Sequence, residues 1–324
     1  MARAGGGLIA WFAEIDRKDV SLAGGKEASL GDMLRAGLPV PPGFVVCTTT
    51  FRKFLASGGL DKKIARTLKK VDVEDAASLE QAAKQITRQI ESQEPPTELR
   101  DAILGAYRRL SEDYGGTAVV AVRSSAAAED SQAASFAGLQ ETYLNVYGDE
   151  CVLQQVQACW GSFFQPRAIF YRGQRGSLLD TSIAVVVQRM VNPDKSGVMF
   201  TVDPVQRRRD RVMIEATWGL GEAVVSGMVT PDHFVVNKSD GALVSKFVPR
   251  KPVMIVREES GTGTRHVDLP SGKADAQVLT SEEITRLAVL GRQIEAHFGS
   301  PQDVEWAIEG DSLFVLQSRP VTTL

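Results

Sequence analysis

The sequence predicts an α+β protein of two lobes, and three features carry that prediction. Residues from about Phe51 to Glu112 set apolar positions at helical spacing among charges, as in LEQAAKQITRQI and ELRDAILGAYRRL. Short β-branched strings follow, AVVAV at 118–122 and SIAVVVQRMV at 182–191, the buried kind of strand. From Gly197 the chain alternates strand and turn and ends in a segment, 303–324, that reads as a hairpin. The expected division is an N-terminal lobe with the helical block, 1–191, and a C-terminal lobe with the terminal hairpin, 192–324.

At roughly 100 to 200 residues per domain, 324 residues suffice for two lobes. Hydrophobic residues at 43% and charged residues at 24% exclude a mainly disordered chain. With 37 Lys and Arg against 40 Asp and Glu, a net charge of −3 gives no global attraction for nucleic acid or an anionic membrane, so anion binding must be local. The start, MARAGGGLIAWF, is a poor signal peptide, and no run reaches the roughly 20 apolar residues of a bilayer span. Cys47, Cys151 and Cys159 suggest neither a disulfide framework nor a zinc site, and a cytoplasmic location is expected.

Taken in order, Pro95 and Pro96 split the helical block, with Thr97 placed to cap the next helix and Glu98 to favour its N-terminus. GGK at 24–26 fails as a P-loop, because Val20 and Glu27 stand where Gly and Ser or Thr are needed; Lys26 can still meet a phosphate as a point charge. After AVVAV, the stretch RSSAAAEDSQAASFAGLQET at 123–142 reads as a loop whose backbone can approach an anion, with Gly138 permissive, Ser135 or Thr142 as hydroxyl donors, and Arg123 at the strand end. Residues 149–172 read as one amphipathic helix with aromatic faces, and a later helix opens at Ser281 and Glu283 and runs to about His297.

In the hairpin, a three-residue loop of Gly310, Asp311 and Ser312 would pair Glu309 with Leu313, Glu305 with Gln317, and Asp303 with Arg319. One face then carries two carboxylates, an amide and a guanidinium, while Val304, Trp306, Ile308, Phe314 and Leu316 are buried. Glu305 beside the Gln317 oxygen suits a hard cation such as Mg²⁺, which takes one or two protein oxygens. Arg319, followed by Pro320, suits bidentate contact with phosphate.

These segments together resemble the N-terminal nucleotide-binding domain shared by phosphoenolpyruvate synthase, pyruvate phosphate dikinase and rifampin phosphotransferase. The matching strings include LAGGKEASLGDMLRAGLPVPPGF, AVRSSAAAEDSQAASFAGLQETYLNV, CWGSFFQPRAIFYR, VVVQRMV, SGVMFTVDP, EATWGLGEAVVSG, TPDHFVV and QDVEWAI followed by LFVLQSRPV, in order over nearly the whole chain. The resemblance implies an ATP-grasp fold, two α+β lobes with ATP between them. It implies that Lys26, Arg123 and Arg319 are phosphate ligands and that Gly138 and Thr142 belong to a loop over the triphosphate. Glu305 and Gln317 would be the Mg²⁺ ligands, with Asp303 acting on the metal or its water. Gln188, with the backbone at Arg189 and Met190, resembles the hinge that reads adenine. Leu139 departs from the Gln many relatives carry there, and the GLGE segment, 219–222, receives no role.

In such enzymes ATP gives its β,γ-diphosphoryl unit to a histidine and leaves as AMP, and the phosphohistidine then serves the acceptor. That histidine belongs to a swivelling domain or subunit, in a T-x-G-G-x-x-S-H type motif, which also implies a partner carrying the acceptor site. The histidines here, His233, His266 and His297, have no such setting and are expected to be structural or superficial. The expected function is therefore the ATP-binding, diphosphoryl-donating component of a dikinase-type phosphotransferase, whether a separate subunit, as in phenylphosphate synthase, or a piece of a longer polypeptide. Pyruvate, a phenol and an antibiotic all stay open as acceptor. The rival, an ATP-sensing module that regulates a partner, has no need of a complete metal site.

Overall fold

The β-branched strings of the N-terminal half become strands of one antiparallel sheet. A computed structural model describes residues 7–15, 25–126, 141–176, 178 and 182–321, apart from the side chains of 25–28 and 126. Unit 1 comprises Met1–Gly31 and Pro42–Met190, and unit 2 comprises Asp32–Pro41 and Val191–Leu324.

In unit 1, β1 (Ile9–Trp11), β2 (Gly43–Val46), β3 (Val120–Ala126), β4 (Thr142–Val146) and β5 (Ile183–Arg189) are ordered β1-β2-β5-β3-β4. β5 is buried from Ile183 to Gln188, as an unbroken apolar run requires of a central strand. Helix α1 (Gly25–Arg35) begins in this unit, and α2 (Thr48–Ala56), α3 (Leu60–Leu68), α4 (Ala76–Ser92), α5 (Thr97–Tyr114), α6 (Asp149–Ser162) and α7 (Pro166–Gln174) follow. Asp75 starts α4 by accepting the N–H groups of Ala77 and Ser78 at 3.0 and 3.2 Å. Trp160 of α6 stacks on Phe54 of α2 with 4.6 Å between ring centroids, at the centre of the core.

Three expectations change here. The single helix over 149–172 is two, because Pro166 opens α7 at its first position after a break at Phe163–Gln165. Thr97 does not cap α5: it is the first helical residue, and Pro96 holds the capping position without a side-chain bond. The first strand reaches past residue 122 to Ala126, taking Arg123, Ser124 and Ser125 out of the expected loop, since β5 pairs along the whole of β3. Composition suggested a loop there, and the ladder overrides it.

Unit 2 is built on an antiparallel sheet ordered β13-β12-β6-β7-β8-β9. Its strands are β6 (Lys195–Phe200), β7 (Arg211–Trp218), β8 (Asp232–Asn237), β9 (Leu243–Phe247), β12 (Gln302–Glu309) and β13 (Ser312–Pro320). A separate pair, β10 (Val253–Arg257) and β11 (Thr264–Asp268), and helices α8 (Glu222–Val225), α9 (Ser271–Ala274) and α10 (Ser281–Phe298) complete it. A capping box fixes the start of α10: Thr280 Oγ1 accepts the Glu283 N–H at 3.2 Å and Glu283 Oε2 accepts the Thr280 N–H at 2.7 Å. Gly291 lets α10 sit close on the sheet, where an added Cβ would lie 2.9 Å from Met199 Sδ. Met199 pairs with Val304, so α10 covers the face that carries Val304, Trp306 and Ile308.

The hairpin corrects the expected register while keeping its result. Its turn is two residues, Gly310 at φ 57° and Asp311, so Glu309 pairs with Ser312 and not with Leu313. A β-bulge then places one extra residue, Leu316, between the partners of Glu305 and Trp306, and beyond it Glu305 pairs with Gln317 and Asp303 with Arg319 as expected. The burial on β13 changes accordingly: Val315 and Ser318 are buried, while Phe314 and Leu316 are only partly so.

Candidate functional site

In unit 2, the hairpin pairing brings all four predicted residues to one face of β12 and β13. Asp303 and Glu305 lie two apart on β12, and their partners Arg319 and Gln317 lie two apart on β13. Arg319 donates from Nε to Asp303 Oδ2 at 2.8 Å, and its Nη2 lies 2.8 Å from the same oxygen. Glu305 and Gln317 are directly opposite, both partly buried, and their side chains bond to no other described residue. Among the described residues no three His, Cys, Asp or Glu side chains gather at metal-binding geometry.

In unit 1, Arg123 lies on β3 opposite Thr142, the exposed first residue of β4. Its Nε is buried without a hydrogen-bond partner among the described residues, an unmet donor that an anion would satisfy. Gln188, 2% exposed, sits on β5 opposite Ala121 and Gly43. The next two backbone N–H groups are engaged, Arg189 with Pro42 O at 2.9 Å and Met190 with Val119 O at 2.8 Å. Met190 Sδ also accepts the N–H of Asn145, whose φ of 56° turns it toward the sulfur. Lys26 falls on α1 with its side chain outside the described residues, and Gly138, Ser135 and Leu139 lie outside them altogether.

One acid on the unit 2 face escaped the sequence reading. Glu215 of β7 pairs with Val198 of β6, which pairs with Glu305, so the three share a row and a face. Burial pushes its carboxyl above the ordinary value, with His233 across the β7–β8 pairing opposing and the Asp303 charge adding to the rise. The signal was present as a carboxylate in the middle of the mostly apolar strand RVMIEATW. His233 lies opposite Glu215, His266 is on β11, and His297 Nε2 is 2.9 Å from Asp32 Oδ2.

An acid and an amide thus lie beside an arginine braced by a second acid, all on one sheet face. Residues 20–324 match the family described as pyruvate phosphate dikinase, AMP/ATP-binding domain, and the chain belongs to it. It is 51% identical over 319 residues to a probable phosphoenolpyruvate synthase of Methanocaldococcus jannaschii, covering 98% of this chain and 27% of that protein. A probable phosphoenolpyruvate synthase of Archaeoglobus fulgidus is 50% identical over 98% of this chain and 42% of its own length. The rifampicin phosphotransferase of Bacillus subtilis is 41% identical over 98% and 36%. The chain thus spans less than half the length of these curated relatives. No helix among the described residues is long and apolar enough to cross a membrane.

Proposed function

We propose that this chain is the ATP-binding component of a dikinase-type phosphotransferase, an ATP-grasp unit that donates the β,γ-diphosphoryl group of ATP to a histidine elsewhere and releases AMP. The observation that carries the reading is the hairpin: Glu305 is set against Gln317 and Asp303 braces Arg319, on one face. Membership of a family described by AMP/ATP binding supports the nucleotide. The unmet Arg123 Nε and the unbonded Glu305 and Gln317 side chains fit its phosphates and Mg²⁺ respectively.

Glu305 and Gln317 would hold Mg²⁺, which supplies charge neutralisation at the phosphate oxygens when bound. Arg319, Arg123 and Lys26 hold the phosphates and stabilise the charge that grows as the diphosphoryl unit leaves. Asp303 fixes the guanidinium plane of Arg319, so the arginine's other donors are already aimed when the phosphates arrive. On the family resemblance, Gln188 and Met190 are assigned to adenine, and Gly138 and Thr142 to the triphosphate.

The accepting histidine belongs to a swivelling domain or subunit, since none of His233, His266 and His297 lies in a glycine-rich nucleophile setting. Relatives more than twice as long leave room for it. Adding a polypeptide with such a histidine to this chain and ATP should give AMP and, once the terminal phosphoryl group has passed to water or to inorganic phosphate, one acid-labile phosphate per added chain. Formation of ADP, or self-phosphorylation on His233, His266 or His297 at the rate of turnover, would overturn the reading.

A further inference from the structure

The row of pairs that contains Glu305 does not stop at the hairpin. Gln317, Glu305, Val198, Glu215 and His233 are successive partners across β13, β12, β6, β7 and β8, and paired residues of an antiparallel sheet project from the same face. Glu215 therefore stands two strands from Glu305, about 10 Å along that face. It is partly buried, and its carboxylate accepts no hydrogen bond from any described residue.

Thr217, two residues further along β7 and so on the same face, gives an independent observation. It is fully buried, and its Oγ1 has no hydrogen-bond partner among the described residues. Neighbouring polar groups left unmet in this way call for a ligand with polar hydrogens of its own. An anion is excluded by the charge of Glu215 beside Asp303. A cation is disfavoured because the partners of Glu215 in its row, Val198 and His233, offer no oxygen ligand, whereas Glu305 has Gln317 opposite it. Neighbouring hydroxyl groups, which both donate and accept, fit the carboxylate and the threonine together.

We propose that Glu215 and Thr217 form a sugar subsite, in which the Glu215 carboxylate accepts the ribose hydroxyls of the nucleotide whose phosphates lie toward Glu305 and Arg319. This rests on the nucleotide reading above. The subsite makes the protein choose ribonucleotides over deoxyribonucleotides, because a carboxylate left facing a deoxy carbon has lost its desolvation without a partner.

The test is calorimetric binding of ATP, 2′-deoxy-ATP and 3′-deoxy-ATP, each with Mg²⁺, to the wild-type chain and to Glu215→Ala, Glu215→Gln and Thr217→Val. The wild type should prefer ATP to at least one deoxy analogue by about tenfold, the worth of a charge-assisted hydrogen bond. In Glu215→Ala the preference should vanish, by weaker ATP binding with the deoxy analogue unchanged. Glu215→Gln, which keeps the side-chain shape, should reduce it, and Thr217→Val should reduce it in part. No preference in the wild type, or equal weakening of all three nucleotides in both Glu215 variants, overturns the inference. So does a rise in the Mg²⁺ needed for half-saturation in Glu215→Gln, which would assign the residue to a cation. In each of these cases ATP binding whose Mg²⁺ dependence is lost in Glu305→Ala leaves the nucleotide reading standing, whereas absence of any ATP binding removes both.

Discussion

Arg319 and Asp303 face each other across the β12–β13 pairing, and two nitrogens of the guanidinium converge on the single oxygen Asp303 Oδ2 at 2.8 Å. The arginine side chain is 60% exposed and the aspartate 11%, so the acid is the fixed member and the arginine the one held.

Asp303→Asn should therefore separate stability from binding. An ion pair with one exposed partner contributes at most about 1 kcal/mol to folding, so the urea midpoint should hardly move. ATP affinity should fall by about tenfold as the guanidinium loses its fixed plane. Denaturant titration and calorimetry on the same preparation check both halves.

ATP with Mg²⁺ should stabilise the chain by about 2.7 kcal/mol at a hundredfold excess over the dissociation constant. Glu305→Ala should leave a smaller shift that no longer depends on Mg²⁺. Thermal scans with and without EDTA provide the measurement, and an unchanged Mg²⁺ dependence in the variant would remove Glu305 from the metal site.

Lys251 and Asp232 form a salt bridge in which both side chains are fully buried. Asp232 Oδ2 also accepts the Val278 N–H at 2.7 Å, and Lys251 Nζ donates to Pro249 O at 2.7 Å. Lys251→Met leaves the aspartate buried and uncompensated and should cost about 3–5 kcal/mol in chemical denaturation. The double variant with Asp232→Asn should recover much of that loss.

The pair of Lys195 and Glu283 ties β6 to the start of α10, with Lys195 Nζ 2.7 and 2.8 Å from the two carboxylate oxygens. Burial alone would push the Glu283 carboxyl up, but the hydrogen bonds from Lys195 and the Thr280 N–H, with the lysine charge, outweigh it and hold the carboxyl below its ordinary value. A carboxyl lowered on folding stabilises above its unfolded pKa, about 4.3, and loses that contribution as pH falls through the folded value. Glu283→Gln should thus be less stable than wild type at neutral pH, with the difference shrinking in acid. A difference independent of pH between 7 and 3 would contradict this.

Periodicity made the helical block and the buried strands legible, and one hairpin made the face of Asp303, Glu305, Gln317 and Arg319 legible. Thr97 misled because a preceding proline can itself occupy the capping position. Arg123–Ala126 misled because small polar residues are held in a strand by two neighbours that composition does not reveal. The hairpin shows the limit most clearly: a three-residue turn and a two-residue turn with a bulge give the same partners for Glu305 and Asp303 and differ only in which β13 residues are buried. Glu215 needed the order of the strands, since β6 lies between β7 and β12 and no local pattern links sequence positions 215 and 305.

The bulge at Leu316 works as a change of phase within the strand. Between the turn and Leu316, β13 keeps one parity, and from Gln317 onward it keeps the other. The tip can consequently be lengthened between Gly310 and Asp311, for a label or a tether, without any effect on which way Gln317 and Arg319 point. If the register of the tip ran on without a bulge, Leu316 and not Gln317 would stand opposite Glu305. Every side chain beyond would then exchange faces, with Ser318 turned outward and Gln317 and Arg319 turned beneath α10, so one extra residue in the strand decides which face of the sheet carries them.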